Sequence, residues 1–201
     1  MFEICPETPA DEPEVEALYD LCFAPGRTAL SSYRLRDGVP RVAELCLVLR
    51  DPANILMAAI RFWPARVAGQ QVLLLGPIAV HPTAQGEGLG GLLMRDSLSR
   101  ARRMGFARVL LVGDAPYYSR FGFQKLDAVE MPPPTNPDRV LGLELTPGAW
   151  VDLCGPVQRE TADQPVIPVI PADIACTEVE HPREATHAPA IFRTTGLAAD
   201  Q

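Results

Sequence analysis

The sequence predicts an α/β fold in which helices cover a mixed sheet, and three observations predict it. Apolar, strand-like runs follow one another at residues 42–49, 55–63 and 72–80. A glycine-dense loop, Gln85-Gly86-Glu87-Gly88-Leu89-Gly90-Gly91, separates the last of these from a segment with helical periodicity. A further apolar run at 109–112 then completes a strand–helix–strand crossover, the connection that parallel strands in a layered sheet require.

Taken in order, residues 2–5 read as a short first strand. Thr8 is placed to cap a helix, with Pro9 in its first turn and Asp11 facing back toward the cap. Val15, Leu18 and Leu21 keep helical spacing until about Phe23, and Pro25-Gly26 breaks the pattern before a second, shorter helix expected over 28–36. The runs at 42–49 and 55–63 are joined by Arg50-Asp51-Pro52-Ala53-Asn54, which has the composition of a turn. After the glycine loop, Leu93, Met94, Leu98, Ala101 and Met104 share one helical face, while Arg95, Asp96, Ser99, Arg102 and Arg103 share the other. Gly105 ends that helix. A short helix then reaches Phe121 with Gly122 as its left-handed stop, and strands follow near 123–129 and 139–145. Beyond Gly155 prolines at 165, 168, 171, 182 and 189 interrupt the chain, and acidic residues outnumber basic ones. Residues 1–155 therefore read as the domain and 156–201 as an extended or partly disordered tail, whose Val166-Ile167 and Val169-Ile170 could pack on the domain or a neighbour.

Bulk properties narrow the function. A net charge of −7 and a pI near 5.0 argue against nonspecific binding to nucleic acid or anionic membrane. No apolar run approaches the roughly 20 residues that span a bilayer, and the acidic start lacks a leader pattern, so a cytoplasmic enzyme is expected. Cys5, Cys22, Cys46, Cys154 and Cys176 are odd in number and scattered, which indicates neither a disulfide framework nor a metal site.

The glycine loop is the most informative stretch. Closely spaced glycines let several N–H groups converge, and the N-terminus of the following helix adds unpaired donors and partial positive charge, so the loop suits an anion such as pyrophosphate. A P-loop would need Gly-Lys-Ser/Thr, and here Leu92-Leu93-Met94 follow instead. Gly86, Gly88 and Gly91 satisfy the dinucleotide spacing G-x-G-x-x-G, with Asp114 roughly where a ribose-binding acid is sought. Yet His81-Pro82-Thr83-Ala84-Gln85 stand between the strand and the first glycine, which that fingerprint places at the strand end.

A third pattern, Gln/Arg-x-x-Gly-x-Gly/Ala, is met by Gln85, Gly88 and Gly90, and here the chain resembles the GNAT (GCN5-related N-acetyltransferase) superfamily, in particular acetyltransferases of the YhbS type. The stretch from Leu75-Gly76-Pro77-Ile78 to His81-Pro82 is similar to that family's fourth strand and its exit. The segment from Val109 through Tyr117-Tyr118-Ser119-Arg120-Phe121-Gly122-Phe123 is similar to its fifth strand, short helix and closing Gly-Phe. The resemblance covers about residues 1–155. It implies a mixed, mostly antiparallel central sheet with helices on both faces, whose fourth and fifth strands, here 74–80 and 109–112, splay apart.

By the same resemblance, backbone groups of Ile78, Ala79 and Val80 pair with the pantetheine arm of acetyl-CoA, and Gln85, Gly86, Glu87, Gly88, Leu89, Gly90 and Gly91 cradle its pyrophosphate. Tyr118, four residues before Gly122, occupies the family's general-acid position. An N-acetyltransferase is implied, without a metal, in which a small-molecule or peptide amine attacks the thioester directly; whether it forms a homodimer is left open. The acceptor would lie against 25–36 and the loops near 131–139. Each residue also has a structural reading: packing for Tyr117, a helix cap for Asp114, a solvated loop for His81. Glu44 is a candidate base as a carboxylate within an apolar strand, or it points to solvent. The competing function is a noncatalytic acyl-CoA-binding module that regulates a partner.

Overall fold

The protein is described here from a computed structural model covering residues 1–23, 25–161 and 175–182. The strands are β1 (Phe2–Pro6), β2 (Leu47–Arg50), β3 (Leu56–Val67), β4 (Gln70–Val80), β5 (Arg108–Val112), β6 (Gln124–Lys125), β7 (Val129–Glu130), β8 (Val140–Glu144), β9 (Gly155–Arg159) and β10 (Thr177–Val179). The α-helices are α1 (Glu12–Phe23), α2 (Ser31–Arg34), α3 (Leu89–Arg103) and α4 (Ala115–Tyr118). The sheet runs β10-β1-β2-β3-β4-β5-β8-β6, with β9 beside β3 and β7. Only β4–β5 and β7–β9 are parallel pairs among the described residues, so the mixed, mostly antiparallel sheet is as expected.

Alternation along the strands sends side chains to opposite faces, and each face has its helix. Ile4, Leu47, Leu49, Ala58 and Ile60 join Leu89, Leu93, Met94, Leu98 and Ala101 of α3 in one buried cluster. Val48, Ala59 and Ala79 face the other way, onto Val15, Leu18 and Tyr19 of α1. Asp11 does face back, accepting hydrogen bonds from the Thr8 N–H at 2.8 Å and its hydroxyl at 2.6 Å, although helical structure starts only at Glu12.

Several expectations need correction. The helix expected over 28–36 is a 3-10 turn, Pro25–Ala29, followed by the four residues of α2. The strand expected over 42–49 begins at Leu47, because Val42 and Leu45 are buried together across the 3-10 turn Ala43–Leu45. Glu44 therefore lies in a half-buried turn and not inside a strand. Helix α3 starts at Leu89, which draws Gly90 and Gly91 into its first turn.

The cysteines and the tail also differ. Cys5 and Cys176 form a disulfide, and β10 pairs antiparallel with β1 through Phe2↔Val179, Glu3↔Glu178 and Ile4↔Thr177. That register, which nothing in the cysteine spacing announces, brings the two thiols together. The contact also accounts for the nearest approach to a metal-ligand group among the described residues, Glu3, Cys5 and Cys176. Strand β9 crosses the 155/156 boundary. Val166-Ile167 and Val169-Ile170 lie outside the described residues. No helix among the described residues is long and apolar enough to cross a membrane.

A charged network fastens α1 and the following turn to β3. Arg61 donates to both oxygens of the buried Glu7 carboxylate, at 2.8 and 2.7 Å, and also bonds Glu16; Arg27 bonds Glu16, Asp20 at 2.8 Å and the Tyr33 hydroxyl at 2.7 Å. Burial alone would raise the Glu16 pKa, but hydrogen bonds and charge from Arg27 and Arg61 outweigh it and hold the carboxyl below its ordinary 4.5. Asp11 is held below its ordinary 3.8, its bonds to Thr8 and Arg50 overriding burial. A depressed folded-state pKa contributes stability that is fully present above the unfolded value and lost as pH falls through the folded one. Denaturant titrations should therefore show stability falling below pH 4.5, and Glu16→Gln should lower stability at pH 7 while making that acid dependence shallower.

Candidate active site

The site begins with an irregularity in β4. Ile60 pairs with Ile78, but Phe62 pairs with Leu75, so β4 carries one residue more than β3 across Gly76-Pro77. Such a bulge bends a strand and strengthens its twist. Gly76 takes a φ of 125°, open to glycine, and Pro77 has no N–H to give to a ladder. Parallel pairing of β4 with β5 is confined to Leu73↔Val109 and Leu74↔Leu110. Beyond that point β5 continues to pair with β8 as far as Val112, and β4 runs on to Val80 paired with β3 but not with β5. The splay expected of these two strands is therefore present.

The split leaves a cavity of about 100 Å³ whose walls include Leu74, Ile78, Leu111, Val112 and Tyr118. Ile78, Ala79 and Val80 pair with Ile60, Ala59 and Ala58 on one side and, among the described residues, have no strand partner on the other. Gln85 folds back so that its Nε2 donates to the Val80 carbonyl at 3.1 Å, which ties the start of the glycine loop to the end of the strand. Gly86 and Gly88 have φ of 89° and 80°. Gly88 occupies the N-cap of α3 and offers no side chain to its free N–H groups, leaving those of Leu89, Gly90 and Gly91 available to an anion.

A close approach explains one more glycine. A Cβ at Gly90 would stand 3.2 Å from the Tyr117 hydroxyl and 3.3 Å from Val80 Cγ2, so this glycine lets α4 and the strand end crowd the helix terminus. A Cβ at Gly91 would make only an ordinary contact with the Arg95 guanidinium, 3.5 Å away. The loop itself has no cation, but Arg95, one turn further along α3, brings one to it. Periodicity placed Arg95 on the polar face and nothing more; its i, i+4 spacing from Gly91 was the available signal. Glu87 meets His181 of the returning tail, Nε2 to Oε2 at 3.2 Å.

Tyr118 is 5% exposed and packs edge-on against Tyr117 and Phe123, at centroid distances of 5.0 and 5.9 Å. Burial pushes its phenol well above the ordinary tyrosine range, with the neighbouring Tyr117 adding to the shift. At neutral pH Tyr118 is therefore a hydrogen-bond donor at the cavity wall. Tyr117, also raised by burial, lies between the Tyr118 and Phe121 rings, in keeping with a packing role. Asp114 precedes α4 and its carbonyl accepts from the Tyr117 and Tyr118 N–H groups, but its side chain makes no cap bond. The His81 ring is occupied with Thr83, Nδ1 to Oγ1 at 2.8 Å. Glu44 lines neither this cavity nor the one beside it.

That neighbouring cavity, of about 570 Å³, shares Arg27, Tyr33, Arg36 and Pro77 with the first. Its wall includes the turn after α1, the segment expected to hold an acceptor. The loop near 131–139 instead braces that segment from behind, through Thr135 on Ser31 and the Pro133 carbonyl on Arg34.

Comparison with known proteins bears on the family and the fold. Residues 43–125 match the family model described as an acetyltransferase (GNAT) domain. An Escherichia coli K12 protein described as an uncharacterized N-acetyltransferase, YhbS, is 33% identical over 121 residues, which is 59% of this chain and 71% of that protein. The crystal structure of E. coli YhbS in complex with CoA superposes with a TM-score of 0.68 at 28% identity, over 78% of this chain and 88% of that one. A GNAT acetyltransferase from Brucella melitensis in complex with acetyl-CoA gives a TM-score of 0.62 at 26% identity, over 82% and 99%.

Gly113 supplies a test of this packing, because a Cβ there would lie 2.2 Å from the Tyr118 ring. Gly113→Ala should displace Tyr118 and cost about 1–3 kcal/mol of stability, as overpacking does. Chemical denaturation checks the cost, and a shift in tyrosine near-ultraviolet circular dichroism should accompany it.

Proposed function

This chain belongs to the GNAT acetyltransferase family, of the YhbS type, and from that premise we propose that it transfers the acetyl group of acetyl-CoA to a primary amine by direct attack within a ternary complex. The observation that supports this most is the adjacency of two vacancies for backbone partners: the unpaired edge of β4 at Ile78, Ala79 and Val80, and the uncapped N-terminus of α3 behind Gly88. An extended pantetheine arm can add to the first as a strand would. The second suits a pyrophosphate, held by N–H groups from Gln85 to Gly91, with Arg95 close enough to add its charge.

Acetyl-CoA supplies an acyl carbon made electrophilic by its thioester. The protein's part is to hold that carbon beside the acceptor, which in favourable cases is worth about 7–11 kcal/mol of barrier. The amine nitrogen forms a bond to the carbonyl carbon, the C–S bond breaks, and the proton lost by nitrogen ends on the CoA sulfur. A backbone N–H on the free edge of β4 near 78–80 would donate to the developing oxyanion. Tyr118 would donate a hydrogen bond to the departing sulfur. Its raised pKa makes full proton transfer to a thiolate, whose ordinary pKa is near 8.5, uphill. Glu44 is not retained as the base, and an amine arriving neutral needs none. In a reducing cytoplasm, the compartment expected from the sequence, Cys5 and Cys176 would stand as thiols, with β10 held by its ladder.

Acetyl-CoA at about 100 times its dissociation constant should stabilise the native state by roughly 2.7 kcal/mol, which raises the melting temperature by about 5–10 °C. Gly88→Val should abolish that response, because a branched side chain is strained at a φ of 80° and would crowd the proposed anion site at the start of α3. A response to NAD in its place would contradict the assignment. Tyr118→Phe should keep the acetyl-CoA response and lower thiol release with a responsive amine by roughly 100-fold. Unchanged turnover would remove Tyr118 from the chemistry, and binding without turnover for any amine would favour the regulatory module.

A further inference from the structure

Arg36 sits where the two cavities meet, and its surroundings differ from those of the arginines beside it. Arg27 and Arg61 are neutralised by Glu7, Glu16 and Asp20. No ion pair reaches Arg36 among the described residues. Its guanidinium is held between the Tyr33 and Trp63 rings, 4.4 and 4.8 Å from their centroids, and its Nε and Nη1 are closed off from solvent with no hydrogen-bond partner. Nη2 lies 3.5 Å from where a Cβ at Gly76 would stand, at the bulge that opens the groove.

A buried charge with unfilled donors is costly unless something pairs with it. The rings fix the plane of the guanidinium by cation–π attraction, and Tyr33 also gives it a hydrogen-bond partner, but Nε and Nη1 remain without one. Burial lowers the Arg36 pKa to about 10, so the group is charged at neutral pH. Four arginines and two acids line the larger cavity, and one of those acids, Glu16, is already shared between Arg27 and Arg61. In a chain of net charge −7, this mouth is locally cationic. A planar fork held flat is the arrangement that recognises a carboxylate, and a cavity of this size suits a small molecule.

We propose that the acceptor is a small amine that also carries a carboxylate, and that Arg36 binds this carboxylate while the amine reaches into the groove beside Ile78 and Tyr118. The proposal rests on the acetyl-transfer reading above and names the acceptor class for it. Arg36, Ile78 and Tyr118 line the same small cavity, so the acid and the amine would sit close together, as they do in an amino-acid-like molecule.

The test uses the full chain loaded with CoA, titrated calorimetrically with glutarate and with its uncharged counterpart glutaramide. Glutarate should bind at least ten-fold more tightly. Arg36→Met, which keeps an apolar stem between the rings, should remove that preference, and Arg36→Lys should restore part of it. In thiol-release assays of amino acids against their amides, Arg36→Met should lower kcat/KM for the acids at least ten-fold more than for the amides, through KM. The CoA-induced melting shift should persist in both variants, showing that groove and fold are intact. Equal affinity for glutarate and glutaramide, or a preference that survives Arg36→Met, would overturn the proposal. Failure of the protein to bind CoA at all would instead remove the acetyl-transfer reading beneath it.

Discussion

The departure of β4 from β5 after Leu74 is the constraint on which the rest of the structure depends. A sheet that stayed paired to Val80 would satisfy its own backbone and leave no edge for a ligand. The extra residue at Gly76-Pro77 prevents this: it bends the strand and removes one donor. The cost of an open edge is tolerable because β4 remains paired with β3 on its other side, and because α1 and α3 cover the two faces. The same departure makes the cavity wall of Tyr118, aims the strand end at the glycine loop, and sets Arg36 against Gly76.

Two sets of contacts hold the walls of this opening in place. On one side Glu7, Arg61, Glu16, Arg27 and Asp20 tie α1 and the turn after it to β3, which fixes one wall of the larger cavity. The ions are partly or wholly withdrawn from water, so their value lies in orientation more than in net stability. On the other side α4 approaches through missing side chains: Tyr117 over Gly90 and Tyr118 over Gly113. The short helix, the helix terminus and the strand end thus meet without a Cβ between them.

Much of this was legible in the sequence, for identifiable reasons. The glycine loop, the amphipathic α3 and the strand–helix–strand crossover each rest on local spacing, and Gly122 adopts the left-handed φ expected of a helix stop. The run at 42–49 misled because Val42 and Leu45 are apolar at a spacing that suits a turn as well as a strand. Arg36 stood only as the last residue of an expected short helix, since nothing local announces that Trp63, far along the chain, closes over it. The Cys5–Cys176 bond depends on where β10 lands, and Arg95 matters only once α3 is seen to begin at Leu89. Pairings between distant segments were the hidden part.

The central claim is that one ligand occupies both the free edge of β4 and the N-terminus of α3. Amide hydrogen exchange, followed residue by residue with and without acetyl-CoA, tests it most directly. The account predicts that exchange slows at Ile78, Ala79 or Val80 and at Gly86 to Gly91 together, while amides of β1 and β2, already paired, change little. Protection at the glycine loop with none along β4, or protection confined to neither, would contradict it.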